Sequence, residues 1–248
     1  MPTVEATIPL FEVNPALDRA GLCAAFAREG RVQVRDVLSM RTAGEIHRIL
    51  SADTPWGLSW QAGGNAPEHV RPNDLAGRSP AERAEIGESL SAAMSGTGYG
   101  FAYSAYPIVD AYTGQWNPGH PLDLILEHIN DEPFLDLVRE ITSLPDLVKA
   151  DAQATLFGPA NFLSRHNDTH LSEGWRIAYV LNFTREPWRE DWGGYLVFFD
   201  GQGDIVAGYK PRFNTLNMFA VPQWHSVTYV PPFAPRGRFA ITGWFRDR

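Results

Sequence analysis

The sequence predicts a β-rich chain of the α+β class, read as a single domain over 1–248. A helical and irregular part covers about 1–149, and a β core covers about 150–248. Three observations predict this. Pro and Gly are frequent, 19 and 22 residues, and supply the turns that a sandwich or barrel needs. Up to about residue 150, apolar residues recur at helical spacing between capping signals. Beyond it, short apolar runs alternate with turn signals: Gly158-Pro159, Gly193-Gly194, the run from Asp200 to Asp204, and Pro231-Pro232. A hydrophobic fraction of 44% and 12% aromatics are enough for a sizeable core.

Taken in order, Asn14 reads as an N-cap with Pro15 in the first helical turn, and Gly30 ends that helix. Residues 31–37 alternate polar and apolar and read as a strand. Residues 39–52 keep helical spacing, with Ile46, Ile49 and Leu50 on one stripe. Residues 54–77 read as loops with one or two short strands. Ser79 followed by Glu82 is a capping-box signature that opens another helix. Residues 96–106, aromatic and Gly-rich, read as a strand. Residues 122–128 and 132–142 read as two short helices.

Charge and cysteine usage exclude some classes of function. A net charge of −8 argues against broad electrostatic capture of nucleic acid or of an anionic membrane. No basic stripe suggests nucleic-acid chemistry. The acidic excess lies in the first part. From residue 160 onward basic residues slightly outnumber acidic ones, which suits an anionic co-substrate. The lone Cys23 permits no internal disulfide and favours a reducing, cytoplasmic setting. The N-terminus lacks the basic and apolar regions of a secretory signal, and no apolar run reaches the length of a membrane span.

His166, Asp168 and His225 are the candidate metal ligands and catalytic centre. Two residues apart in a strand, His166 and Asp168 would share a face, and His225 would come from a facing strand. Two imidazoles and one carboxylate leave open positions on iron(II), whereas a thiolate site would need cysteines that are absent. Arg238 and Arg236 share strand parity, and either guanidinium fork would match a carboxylate. Thr242 has the same parity. His170 reads as a surface or substrate-loop residue, Arg176 as an exposed strand residue, and His47, His69, His120 and His128 as structural. Trp192-Gly193-Gly194 reads as a tight turn, Trp224 and Trp244 as core, and Trp175 as a residue near the substrate mouth.

From about Ala154 to the C-terminus the chain resembles the 2-oxoglutarate- and Fe(II)-dependent oxygenases of the prolyl-hydroxylase type. The motifs that carry this are His166-x-Asp168, the strand 176–182, Trp192 to Leu196, Pro211 to Asn214 with Phe219, His225-Ser226-Val227, and Arg238 to Trp244. The resemblance implies a double-stranded β-helix, a jelly-roll variant, with the metal inside its open end. It also implies Fe(II), 2-oxoglutarate as co-substrate and ascorbate as an accessory reductant. It selects Arg238 as the co-substrate anchor, with Thr242 and Asn182 as further contacts. Asn182 and Phe157 stand where related prolyl hydroxylases often carry tyrosine, which alters the co-substrate pocket. With the carboxylate Asp168 present, the expected reaction is hydroxylation of an unactivated carbon, releasing succinate and carbon dioxide. The substrate would be a small molecule such as a free amino acid, or a prolyl residue of a protein or peptide. Two rival readings are a metal-binding jelly roll without oxygenase activity and an inactive interaction protein.

Overall fold

Capping chemistry sets the first elements. The computed structural model describes residues 11–96, 98–169, 173–185 and 187–248. Helix α1 (Arg19–Glu29) starts at Asp18, whose carboxylate accepts from the Gly21 N–H, and ends at Gly30 with φ 63°. The expected start at Asn14 is therefore corrected. Asn14 instead accepts from the Ala16 N–H and donates to the Asp36 carbonyl, a local turn that competes with helix initiation. Strand β1 (Arg31–Arg35) follows. Helix α2 (Met40–Arg48), capped by Ser39, runs into a π-helical turn at Ile49–Asp53. Thr54 closes that turn, donating from both its N–H and its hydroxyl to the Ile49 carbonyl.

Strands β2 (Gly57–Ala62) and β3 (Glu68–Val70) lie in the region read as loops with short strands, together with helix α3 (Pro72–Gly77). Helix α4 (Pro80–Ser95) carries the expected capping box between Ser79 and Glu82. Strand β4 (Gly100–Tyr106) and helices α5 (Ile108–Thr113), α6 (Pro121–Ile129) and α7 (Glu132–Thr142) complete the first part. Helices α3 and α5, six residues each, are too short to show a helical period. Among the described residues no helix is long and apolar enough to cross a membrane.

The second part is made of β5 (Lys149–Ala150), β6 (Gln153–Phe157), β7 (Phe162–His166), β8 (Trp175–Asn182), β9 (Leu196–Phe199), β10 (Ile205–Tyr209), β11 (Thr215–Ala220), β12 (His225–Val227) and β13 (Arg238–Arg246). The strands pair in the order β1-β11-β8-β13-β6-β4-β7-β12-β9-β10, with β2, β3 and β5 attached at the sides. The sheet folds back on itself so that β8, β13 and β6 and then β7, β12 and β9 line one cavity. This is the expected double-stranded β-helix with supporting helices. Strand β4 pairs with both β6 and β7 and so joins the two halves of the barrel through a strand of the first part.

The main core lies between the helices and the outer face of one sheet half. It includes Ile46, Ile49, Phe134, Leu137, Leu181 and Phe245, all at most 1% exposed. Each such side chain contributes about 1.5–3 kcal/mol on burial. Asn214, with φ 55° and fully buried, ties this layer to the sheet. Its amide oxygen accepts from the Leu38 N–H at 3.0 Å and its nitrogen donates to the Leu38 carbonyl at 2.7 Å. The tight turn expected at Trp192-Gly193-Gly194 is present. Gly193 has φ 62°, and a Cβ there would lie 1.9 Å from the Tyr229 carbonyl oxygen.

Candidate active site

His166 is the last residue of β7 and His225 the first of β12, and the two are direct cross-strand partners. The imidazoles thus come from neighbouring hydrogen-bonded strands, not from a facing one, and their ring centroids lie 4.1 Å apart. Asp168 falls beyond the end of β7 with φ 55°, so strand parity does not place it. The left-handed backbone turns its carboxylate back between the two rings. Its oxygens lie 3.3 Å from His166 Nε2 and 3.4 Å from His225 Nε2. One ligand atom from each of the three residues lies within 4.8 Å of the others.

The backbone fixes which nitrogen faces inward. His166 Nδ1 lies 2.9 Å from the Ser164 carbonyl, and His225 Nδ1 lies 2.8 Å from the Gln223 carbonyl. A carbonyl only accepts, so both Nδ1 atoms carry the proton and both Nε2 lone pairs point at Asp168. Burial, and then the neighbouring His166, pushes the His225 pKa down to about 4, so its ring is neutral near pH 7. Two lone pairs and a carboxylate converging on one point repel unless a cation sits among them. The donor set fits a divalent ion, and nitrogen and oxygen donors without a thiolate fit iron(II).

The triad opens into a cavity of about 880 Å³. Strand β13 lines it with a ladder of same-facing residues: Arg238, Thr242, Trp244 and Arg246. Arg238 is 2% exposed, and burial pulls its pKa down to about 10. Among the described residues no carboxylate pairs with it. Its guanidinium lies 5.3 Å from the Phe157 ring centroid, and Nε lies 3.4 Å from Asn182 Oδ1. Arg236 is exposed, beside the Trp192 ring, and lies before the strand begins.

Asn182 is fully buried and rests against Arg238; Ala178 and Val180 are the same-facing residues of β8 that line the cavity. Its amide is spent on Arg238 and on the Val180 carbonyl. Trp224 is 40% exposed, with Arg165 stacked over it at 4.1 Å, and is not core. Trp244 lines the cavity and stacks on Trp175 with centroids 3.9 Å apart. Arg176 is committed to Asp247. His170 lies outside the described residues. Sequence reading missed Tyr99 and Tyr103. Tyr99 lies 5.7 Å from the His166 ring, and Tyr103 stacks on Phe157 at 4.8 Å. The alternation Tyr99-Phe101-Tyr103 was the available signal, since period two puts all three on one face.

Residues 152–246 match the family model of the 2OG-Fe(II) oxygenase superfamily. No curated protein sequence matches the chain. Among solved structures, a prolyl-4-hydroxylase from Pseudomonas putida is 19% identical with a TM-score of 0.53, over 93% of this chain and 95% of that one. A prolyl hydroxylase from Trichoplax adhaerens, in complex with a hypoxia-inducible-factor oxygen degradation domain peptide fragment, is 14% identical with a TM-score of 0.56, over 92% and 89%. The non-heme alpha-ketoglutarate-dependent epimerase SnoN from nogalamycin biosynthesis is 14% identical with a TM-score of 0.53, over 91% and 80%. At these identities the neighbours establish the fold. The matched β core is of the 2OG-Fe(II) oxygenase type, an oxidoreductase family that implies iron(II) and 2-oxoglutarate.

Proposed function

We propose that this chain is a 2-oxoglutarate-dependent hydroxylase in which His166, Asp168 and His225 hold iron(II) and Arg238 binds the far carboxylate of the co-substrate. The single observation that carries the reading is Arg238. It is a buried cation without a carboxylate partner among the described residues, lining the cavity that contains the triad. An uncompensated buried charge is costly, and it is retained where an incoming anion completes it. A site that only bound metal would have no use for it.

When bound, iron(II) with 2-oxoglutarate and dioxygen would supply the oxidising chemistry, one oxygen atom of O2 going to the co-substrate to give succinate and carbon dioxide and the other to the substrate carbon. The protein's part is orientation and exclusion of water. Arg238 offers a rigid fork to the distal carboxylate, and its burial strengthens that attraction. Asn182 Oδ1 and the Phe157 ring hold the guanidinium in place. The Ser164 and Gln223 carbonyls keep both imidazoles in the tautomer that presents Nε2. Tyr99, Tyr103, Trp175 and Trp244 form an aromatic wall from which a substrate carbon can face the metal. The neighbours, two prolyl hydroxylases and an epimerase of a biosynthetic pathway, support either a peptide or a small-molecule substrate.

Thermal unfolding tests this. 2-Oxoglutarate should raise Tm only when a divalent metal is present, and the increment should vanish in Arg238→Ala. An equal increment in metal-free protein, or in the Arg238 variant, would remove the assignment.

A further inference from the structure

Tyr103 offers a proton that the hydrogen bonds of the protein leave unused. Its hydroxyl oxygen accepts from the Gln153 side-chain amide at 3.3 Å. A phenol is a donor as well as an acceptor, and Gln153 takes up only a lone pair. Among the described residues no acceptor takes the Tyr103 O–H. Burial raises the phenol pKa, against the Gln153 bond and with the charge of Asp168, so the proton stays on oxygen near neutral pH. A phenol inside a protein normally finds a partner for its proton. Tyr103 is half-buried and lines the main cavity, where a ligand can supply that partner.

Strand register says which ligand. Phe157 and Gln153 stand on β6 opposite Arg238 and Thr242 of β13. The two levels are four residues apart, about 13 Å. The Tyr103 ring stacks on Phe157, with centroids 4.8 Å apart and planes at 25°, while its hydroxyl reaches Gln153. The phenol therefore lies along β6 and points from the Arg238 level toward the Thr242 level. Phe101 also stacks on the ring, at 5.1 Å, and the two contacts keep it from swinging away. A five-carbon dicarboxylate is about 7 Å long, the length of two extended residues. Held at Arg238, it must run up the same span to meet the triad. Its far carboxylate stays at Arg238, and its oxo-acid end comes alongside the hydroxyl. There a second negative charge would sit near Asp168, and a hydrogen-bond donor offsets that repulsion. We infer that the Tyr103 O–H donates to the metal-side carboxylate of 2-oxoglutarate, with Gln153 aiming the hydroxyl. This rests on the oxygenase reading above and deepens it. Strand β13 holds one end of the co-substrate, and β4, outside the segment that matches the oxygenase family, holds the other.

Matched ligands separate the two ends. 4-Oxopentanoate keeps the oxo group and the far carboxylate but carries a methyl group in place of the metal-side carboxylate. 2-Oxopentanoate keeps the oxo acid and lacks the far carboxylate. Calorimetry on the full chain loaded with Zn(II) measures them without turnover, the weaker ligands by displacement of 2-oxoglutarate. Tyr103→Phe keeps the ring and its stacks. It should bind 2-oxoglutarate and 2-oxopentanoate about ten-fold more weakly than the parent, and 4-oxopentanoate equally well. Arg238→Ala should show the converse, weakening 2-oxoglutarate and 4-oxopentanoate but not 2-oxopentanoate. Gln153→Leu keeps the phenol without its guide, and should weaken the same two ligands as Tyr103→Phe by a smaller factor, about three-fold. Unchanged affinity of Tyr103→Phe for 2-oxoglutarate would overturn the inference. So would an equal loss for 4-oxopentanoate, which would mean that the substitution disturbs the cavity as a whole. The two readings stay distinguishable. A zinc-loaded parent that binds no 2-oxoglutarate sinks the oxygenase assignment and this inference with it, whereas binding that Tyr103→Phe leaves untouched sinks only this one.

Discussion

His225 couples the site to pH. Its folded pKa of about 4 lies below the ordinary histidine value of about 6.5 in an unfolded chain. Between these values the unfolded state binds the extra proton, so folding is favoured by rising pH. The contribution, on the order of 3 kcal/mol, is complete above about pH 6.5 and is lost as pH falls toward 4. Urea midpoints of the metal-free protein should therefore fall steadily from pH 7 to pH 4.5, and the fall should be shallower in His225→Asn. A flat profile in the parent protein would show that the ring is not held neutral by burial. Asp168→Ala should bring metal-dependent turnover to background while leaving the circular dichroism of the β core unchanged. Full turnover in this variant would dismiss the triad. The two arginines separate cleanly. Arg238→Ala removes a buried partner of a carboxylate, worth about 2 kcal/mol or more, and should raise KM for 2-oxoglutarate at least about 30-fold. Arg236→Ala, at an exposed position, should leave it within a factor of two of the parent, roughly the scale of a surface change. The reverse order of KM values would show that the wrong arginine was chosen.

At the scale of elements, what was legible was local chemistry. Ser79 with Glu82, Ser39 before α2, and Gly30 after α1 act within one turn of chain, so their types and spacing state their role. What was not legible depends on strands meeting. Cross-strand register sets His225 opposite His166, and a left-handed residue aims Asp168; neither appears in the spacing His-x-Asp. The sequence shows which three residues meet, but not the geometry that unites them. Trp244 was read as core because its strand reads as apolar. Only the fold shows that its face is the cavity wall. Asn214 is a further case: nothing in Pro211 to Asn214 reveals that its amide clasps Leu38, far away in sequence. Asn214→Ala would leave a buried N–H and a buried carbonyl unpaired, and should cost about 2–4 kcal/mol in chemical denaturation at unchanged m-value. A loss below about 0.5 kcal/mol would mean that the clasp is incidental.

For the whole molecule, the β core and the first part share one cavity. Residues matching the oxygenase family supply the triad and the β13 ladder, while Tyr99 and Tyr103, at and on β4, supply the facing wall. The cavity is thus lined from both stretches of the sequence. This is why the metal site could be read from motifs and the substrate wall could not. Strand β4 reaches both β6 and β7, so the wall is fixed to the metal strands by main-chain hydrogen bonds. Arg238 lies buried in the same cavity as the triad, and a buried cation is completed by an incoming anion. The most direct test is an anaerobic titration of 2-oxoglutarate into Fe(II)-loaded protein, following the weak visible charge-transfer absorption of the chelate. The account predicts a saturable band in the parent protein that is lost in Arg238→Ala while iron remains bound. Iron bound without any band, at saturating 2-oxoglutarate, would contradict it.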